Sequence, residues 1–183
     1  STSSTAFLNG LTEYSISGWY KAKDSSRGIA DYEVLVGRDT GSITCPDKVG
    51  QWSLGLYDCR YAVFGRENSV WESFSSPCNE TEVWHHVTAT YNQVGNTIKL
   101  YKDGVLQNTT TGTASCGGPV TSADIGDLFL GKGFTGILDD VFIHNREITA
   151  AEVSQLYGLG SSCCQLSPCT VLVTPTFNAL API

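Results

Sequence analysis

Val83-Trp84-His85-His86 sets two imidazoles beside an indole, and a histidine is the commonest general base. Read as a strand, the segment places Trp84, His86, Thr88 and Thr90 on one side. Val83, His85, Val87, Ala89 and Tyr91 take the other. Such surroundings predict hydrogen-bonded histidines in a packed interior rather than a catalytic base. Glycan cleavage needs an acid and a second carboxylate at a fixed separation across the scissile bond. The nearest string is Glu80-x-Glu82, which overlaps the triplet Asn79-Glu80-Thr81 in a loop. Neither an HExxH zinc motif nor a Ser-His-Asp grouping is visible. No catalytic residue is assigned, and the chain is expected not to be an enzyme.

Seven cysteines occur: Cys45, Cys59, Cys78, Cys116, Cys163, Cys164 and Cys169. Their spacing lacks the paired CxxC knuckles of a structural zinc site. Disulfides are the better reading, each contributing roughly 2–4 kcal/mol, and they point to an oxidising compartment. An odd count leaves one thiol free, capped or bridged to another chain, and the wiring stays open. Asn79-Glu80-Thr81 and Asn108-Thr109-Thr110 are N-glycosylation acceptor patterns. The absence of methionine and the start at Ser1 fit a processed secretory product, or else a trimmed chain.

With 11 basic and 18 acidic residues the net charge is −7, and no basic cluster stands out. A nucleic-acid partner is not expected. No apolar run approaches the roughly 20 residues that span a bilayer, so membrane insertion is not expected either. An extracellular, secreted protein is.

These residues need elements to position them. Apolar-rich or alternating runs predict strands near 12–22, 30–38, 51–58, 61–65, 69–74, 83–92, 97–103, 105–110, 127–131 and 135–145. Asp103-Gly104 is a tight hairpin signal. Thr149 followed by Glu152 is a capping box that opens a helix of about two turns, over 148–157. Ten short strands and one helix imply an all-β, two-sheet antiparallel sandwich. Trp19, Trp52 and Trp84 are expected in or near its core. Trp71, in the less regular 66–82 stretch, is the candidate platform for stacking a sugar.

From Trp84 onward the order of motifs is specific. Trp84-His85-His86-Val87 is followed by Leu100-Tyr101-Lys102-Asp103-Gly104, then Leu128-Phe129-Leu130-Gly131. After these come Gly136-Ile137-Leu138-Asp139-Asp140-Val141-Phe142-Ile143 and Ala150-Ala151-Glu152-Val153-Ser154-Gln155-Leu156-Tyr157. Tyr14-Ser15-Ile16-Ser17-Gly18-Trp19 and Trp52-Ser53-Leu54-Gly55-Leu56 supply an early and a middle strand. Over roughly residues 12–158 the chain resembles the laminin-G-like, concanavalin A-like lectin and glucanase family. The resemblance implies a jelly roll that hosts lectins, enzymes and inert building blocks. It implies glycan partners for a lectin-like adhesion module. Glycan-cleaving relatives carry a Glu-x-Asp-x-x-Glu string, which this chain lacks. The resemblance also implies a Ca2+ ion at the sandwich rim, with Asp139 and Asp140 as ligands. The alternative is an Asp-Asp pair that caps a turn and holds neighbouring amides.

Relatives usually place one more strand before the Tyr-x-Ile-x-x-Trp strand, beside the Asp-Asp-Val-x-Ile strand. Here only a Ser-Thr-rich leader precedes it, which predicts a vacant slot along Val141 to Asn145. No Asp, Glu, Lys or Arg occurs after Glu152. From Val171 onward every odd position is apolar: Val171, Val173, Pro175, Phe177, Ala179, Ala181 and Ile183. Residues 1–158 therefore form the jelly-roll domain. Residues 159–183 form a Cys-containing linker and an extended C-terminal strand. That strand either folds back in cis or enters another copy of the chain, a head-to-tail exchange that gives a fibre, with the cell surface as its expected place.

Overall fold

The computed structural model describes residues 8, 11–23, 33–38, 52–57, 60–64, 69–72, 81–92, 94–95, 97–111 and 128–164. The ten predicted strands are present among them: β1 (Glu13–Ala22), β2 (Glu33–Gly37), β3 (Ser53–Tyr57), β4 (Arg60–Phe64), β5 (Ser69–Glu72), β6 (Trp84–Asn92), β7 (Thr97–Lys102), β8 (Val105–Thr111), β9 (Phe129–Lys132) and β10 (Gly136–His144). They form two five-stranded sheets, ordered β10-β1-β6-β7-β8 and β5-β4-β3-β2-β9. All the pairings are antiparallel. This is a jelly-roll sandwich.

Period-two alternation drives the assembly. Along β1, Tyr14, Ile16, Tyr20 and Ala22 enter the space between the sheets. Along β6, Val87, Ala89 and Tyr91 do the same. They meet Leu35, Val36, Trp52, Leu54, Leu56 and Tyr61 from the other sheet side of the core. Tyr14 joins the layers by stacking on Trp52 (5.2 Å) and on Tyr91 (5.1 Å). The hydroxyls of Tyr20 and Tyr61 hydrogen-bond across the sandwich. Buried phenols are thereby given polar partners, without which each would cost stability. Leu8, inside the Ser-Thr-rich leader, is also buried in this core.

The outer face of the β10-β1-β6-β7-β8 sheet is covered by α1 (Ala150–Cys164). Trp19 and His86, cross-strand partners on that face, lie against Tyr157 of the helix. Tyr101, Ile148 and Val153 form a second apolar cluster, with Leu156 packed on it. The capping box forms as predicted. Glu152 N–H donates to Thr149 Oγ1 (3.3 Å), and Thr149 N–H donates to a Glu152 carboxylate oxygen (2.8 Å). Arg146 adds a two-pronged pair on Glu152. The Arg146 hydrogen bonds, then those from Thr149, hold the Glu152 carboxyl at about 2.

The helix has 15 residues, not two turns. It continues through Gly158 and Gly160, both poor helix formers, and the packing against Trp19 requires a small residue at Gly160, while a Cβ on Gly158 would meet nothing within 4 Å. A Cβ on Gly160 would lie 2.1 Å from Trp19 Nε1. The helix therefore crosses the boundary placed at 158, and it carries Cys163 and Cys164, which were expected in a linker. No described helix is long and apolar enough to cross a membrane.

Candidate functional site

His85 and His86 do not act as a pair, because alternation separates them. His85 faces Tyr20 in the core. His86 lies beneath α1, 5.3 Å from the Trp19 ring. What links them is Asp103, a residue the sequence offered only as a turn former. Asp103 and Gly104 both have positive φ (50° and 78°), as a tight hairpin between β7 and β8 requires. The turn is fastened to β6 at three points. Asp103 N–H donates to the His86 carbonyl (2.8 Å). Asp103 Oδ1 accepts from His86 N–H (2.9 Å), and Asp103 Oδ2 is 2.9 Å from His85 Nδ1.

Burial alone would raise the Asp103 carboxyl. The hydrogen bonds from His85 and the His86 amide, with the nearby positive charges, outweigh it and hold the group below the usual range. Asp103 is thus a clamp. Its replacement by Ala should cost about 2 kcal/mol in urea unfolding, and Asp103→Asn less, since Asn keeps one acceptor and tolerates positive φ. Equal losses for both variants would contradict that reading.

Glu147 fastens the segment after β10 in a similar way. It accepts from Asn92 (2.9 Å), Lys99 (2.7 Å) and Thr90 (3.4 Å). Ser15 Oγ contributes two further bonds, donating to the Arg146 carbonyl and accepting from Ile148 N–H.

An open cleft of about 350 Å³ lies where β1 ends, β6 begins and β10 begins; it is lined by Lys21, Lys23, Glu82, Gly136 and Ile137. Register brings these distant residues together: Lys21 pairs with Trp84 on one side and with Ile137 on the other. Glu82 adopts φ of 61° and its N–H donates to the Ala22 carbonyl (2.7 Å), which pins it at the rim. Its carboxylate lies 3.6 Å from Lys21 Nζ, which also sits over the Trp84 ring at 5.7 Å. Lys23 is held through its amide, which donates to the Thr135 carbonyl (3.0 Å). Gly136 must lack a side chain, since a Cβ there would fall 2.3 Å from the Lys21 carbonyl oxygen. No periodicity in the sequence marks this cleft, because its parts come from the end of β1 and the residue beyond it, the turn before β6 and the start of β10, segments far apart in the chain.

β10 is paired on one side only, with β1, among the described residues. Core residues Leu138, Val141 and Ile143 are only half-buried, Ile137 is 51% exposed and Phe142 46% exposed. On the neighbouring edge of the second sheet, Leu130 of β9 is 58% exposed. Within β10, Asp139 pairs with Trp19, and the next residue, Asp140, falls with Val141 at a bulge opposite Gly18. Asp140 has φ of 45°, and its N–H donates to Asp139 Oδ1 (2.9 Å). No group of three or more His, Cys, Asp or Glu side chains converges among the described residues. The donors now in place at the pair are two carboxylates, one of them engaged with an amide.

Of the other predicted residues, Asn108 is exposed on β8, an edge strand. Asn79, Cys45, Cys59, Cys78, Cys116 and Cys169 lie outside the described residues, as do Glu80 and residues 171–183. Trp84 is half-buried, whereas Trp19 and Trp52 are buried, Trp19 beneath the helix rather than between the sheets.

Several solved structures share this fold. The binding domain of botulinum neurotoxin serotype G superposes with a TM-score of 0.58 at 19% identity, over 83% of this chain and 37% of that one. A botulinum neurotoxin type C structure, described by cell entry that depends on two ganglioside molecules, gives 0.54 at 17% identity, over 84% and 37%. The binding domain of Paraclostridial Mosquitocidal Protein 1 gives 0.54 at 18% identity, over 82% and 38%. This chain therefore spans little more than a third of those proteins, and the likeness is one of fold. No curated protein matches the sequence. The two sheets, the closing helix and a family match over residues 1–154 agree: the chain belongs to the Concanavalin A-like lectin/glucanases superfamily.

Proposed function

We propose that this chain is an extracellular, non-catalytic, lectin-like binding module that holds a glycan in the cleft lined by Lys21, Lys23, Glu82, Gly136 and Ile137. The cleft is the observation that carries the reading. Its volume falls in the range of small-molecule sites, and it combines polar groups with an exposed apolar side chain. Glu82 is the one carboxylate lining it among the described residues. Two flanking carboxylates are what glycoside cleavage requires, so the cleft is suited to holding a sugar rather than cutting it. Asn79 and Asn108 carry N-linked glycans in this reading, the exposure of Asn108 being compatible with one. A glycan array probed with the full chain, with and without chelator, tests the binding. Retained spots support the module. Chelator-sensitive spots support Ca2+ held through Asp139 and Asp140. An array on which nothing binds refutes the reading.

The open edge of β10 favours a second reading, in which the C-terminal strand of one copy enters the slot beside β10 of the next. Backbone that has no partner among the described residues, and half-buried core side chains along that edge, are what an added strand would cover. Val171, Val173, Phe177, Ala179, Ala181 and Ile183 supply one apolar face. Repeated head to tail, the exchange builds a fibre. Light scattering and electron microscopy on residues 1–164, which retain all of α1, and on 1–183 distinguish the two. Assembly of the longer chain alone supports exchange, and monomers in both cases refute it.

A further inference from the structure

We propose that the cleft selects a sugar ring bearing a carboxylate, a uronic or sialic acid, with Lys23 as the group that receives the acid. This rests on the lectin-like reading above and names the ligand class.

The charges in the cleft are unequal in availability. Lys21 is already engaged, 3.6 Å from Glu82 and over the Trp84 ring. Lys23 makes no ion pair among the described residues, and its backbone is fixed by the bond to Thr135. Among the described lining residues, two ammonium groups stand against one carboxylate, a local charge of +1 on a chain of net charge −7. A local reversal of sign in a concave site draws an anion from solution. The other lining groups suit the rest of a sugar. Ile137, 51% exposed, offers an apolar surface to the C–H face of a ring. Glu82, held rigidly by its backbone bond to Ala22, can accept hydrogen bonds from ring hydroxyls. A multiply charged phosphate or sulfate group would find one free ammonium and a carboxylate opposite. A single carboxylate with neighbouring hydroxyls matches the set better.

The test is isothermal titration of the full chain with 3′-sialyllactose and lactose, and with trigalacturonic acid and its methyl ester. At least one acid is expected to bind while its neutral counterpart does not, and the acid that binds tells a sialic from a uronic ligand. Lys23→Gln should weaken that binding about tenfold or more, as loss of a charge-assisted hydrogen bond does, with Lys23→Arg restoring part of it. Raised salt should weaken it as well. Circular dichroism guards against misfolding of these exposed-site variants. If neutral sugars bind as well as acids, or Lys23→Gln binds unchanged, the acid-selective cleft is overturned while the lectin-like module stands. If no glycan of any kind binds, both fall.

Discussion

Replacing Trp52 with Ala is expected to lower the stability of this chain by about 3–5 kcal/mol, the range for removing a large aromatic from a packed core. Trp52 is 1% exposed. Its indole is the base of the Tyr14-Trp52 stack, and Tyr14 in turn stacks on Tyr91, so the loss reaches both sheets. Aromatic pairs of this kind contribute roughly 0.5–1.5 kcal/mol beyond the area they bury. The backbone beside Trp52 is equally constrained. Its carbonyl accepts from Arg38 N–H (2.7 Å), and Gly37 packs so closely on β3 that a Cβ would fall 2.4 Å from that of Ser53. Neither contact allows β2 and β3 to close over a cavity. Urea unfolding at neutral pH measures the effect. A loss below about 1 kcal/mol would mean that the sheets are held together elsewhere.

Acid should destabilise the fold before its carboxylates begin to protonate, through His86. The ring is 2% exposed, between Trp19 and Tyr157. Burial lowers its pKa from 6.5 to about 4, the charge of Asp103 opposing only part of that fall. A folded value below the unfolded one means that the fold favours the neutral ring. Its contribution is complete above pH 6.5 and is lost as pH drops from 6.5 through about 4, amounting to about 3 kcal/mol in all. His144 acts in the same direction, lowered by burial and then by Arg146, with Glu152 opposing. Asp103, Glu147 and Glu152 are all held below their usual values, so their contributions disappear at lower pH. Unfolding by urea at several pH values between 7 and 4 separates these groups. His86→Phe should lose about 3 kcal/mol less than the original chain over that span. The same pH dependence in both would show that His86 charges without opposing the fold.

The strands were legible because each has one face that must be buried. Tyr14, Ile16 and Tyr20 of β1, or Val87, Ala89 and Tyr91 of β6, alternate as a sheet requires. The Asp103-Gly104 turn was legible because a two-residue hairpin demands positive φ. The length of α1 was not, since Gly158 and Gly160 lower helix propensity and only the Trp19 contact explains why Gly160 is retained. The cleft was invisible for a different reason. Lys21, Glu82 and Ile137 meet through the β1–β6 and β1–β10 pairings, and a linear pattern does not announce which strands become neighbours. Asp103 shows the same gap on a smaller scale. Its turn role is local and readable, while its grip on His85 and His86 depends on the packing of β6 beside β7.

Titration of the isotope-labelled chain with 3′-sialyllactose and with trigalacturonic acid, followed by NMR, tests the binding cleft most directly. The account predicts that one of these acids perturbs the amides of Lys21, Lys23, Glu82, Gly136 and Ile137 together, and that its own signals persist unchanged on standing. Perturbation confined to other surfaces, or disappearance of the intact sugar through cleavage, would contradict it.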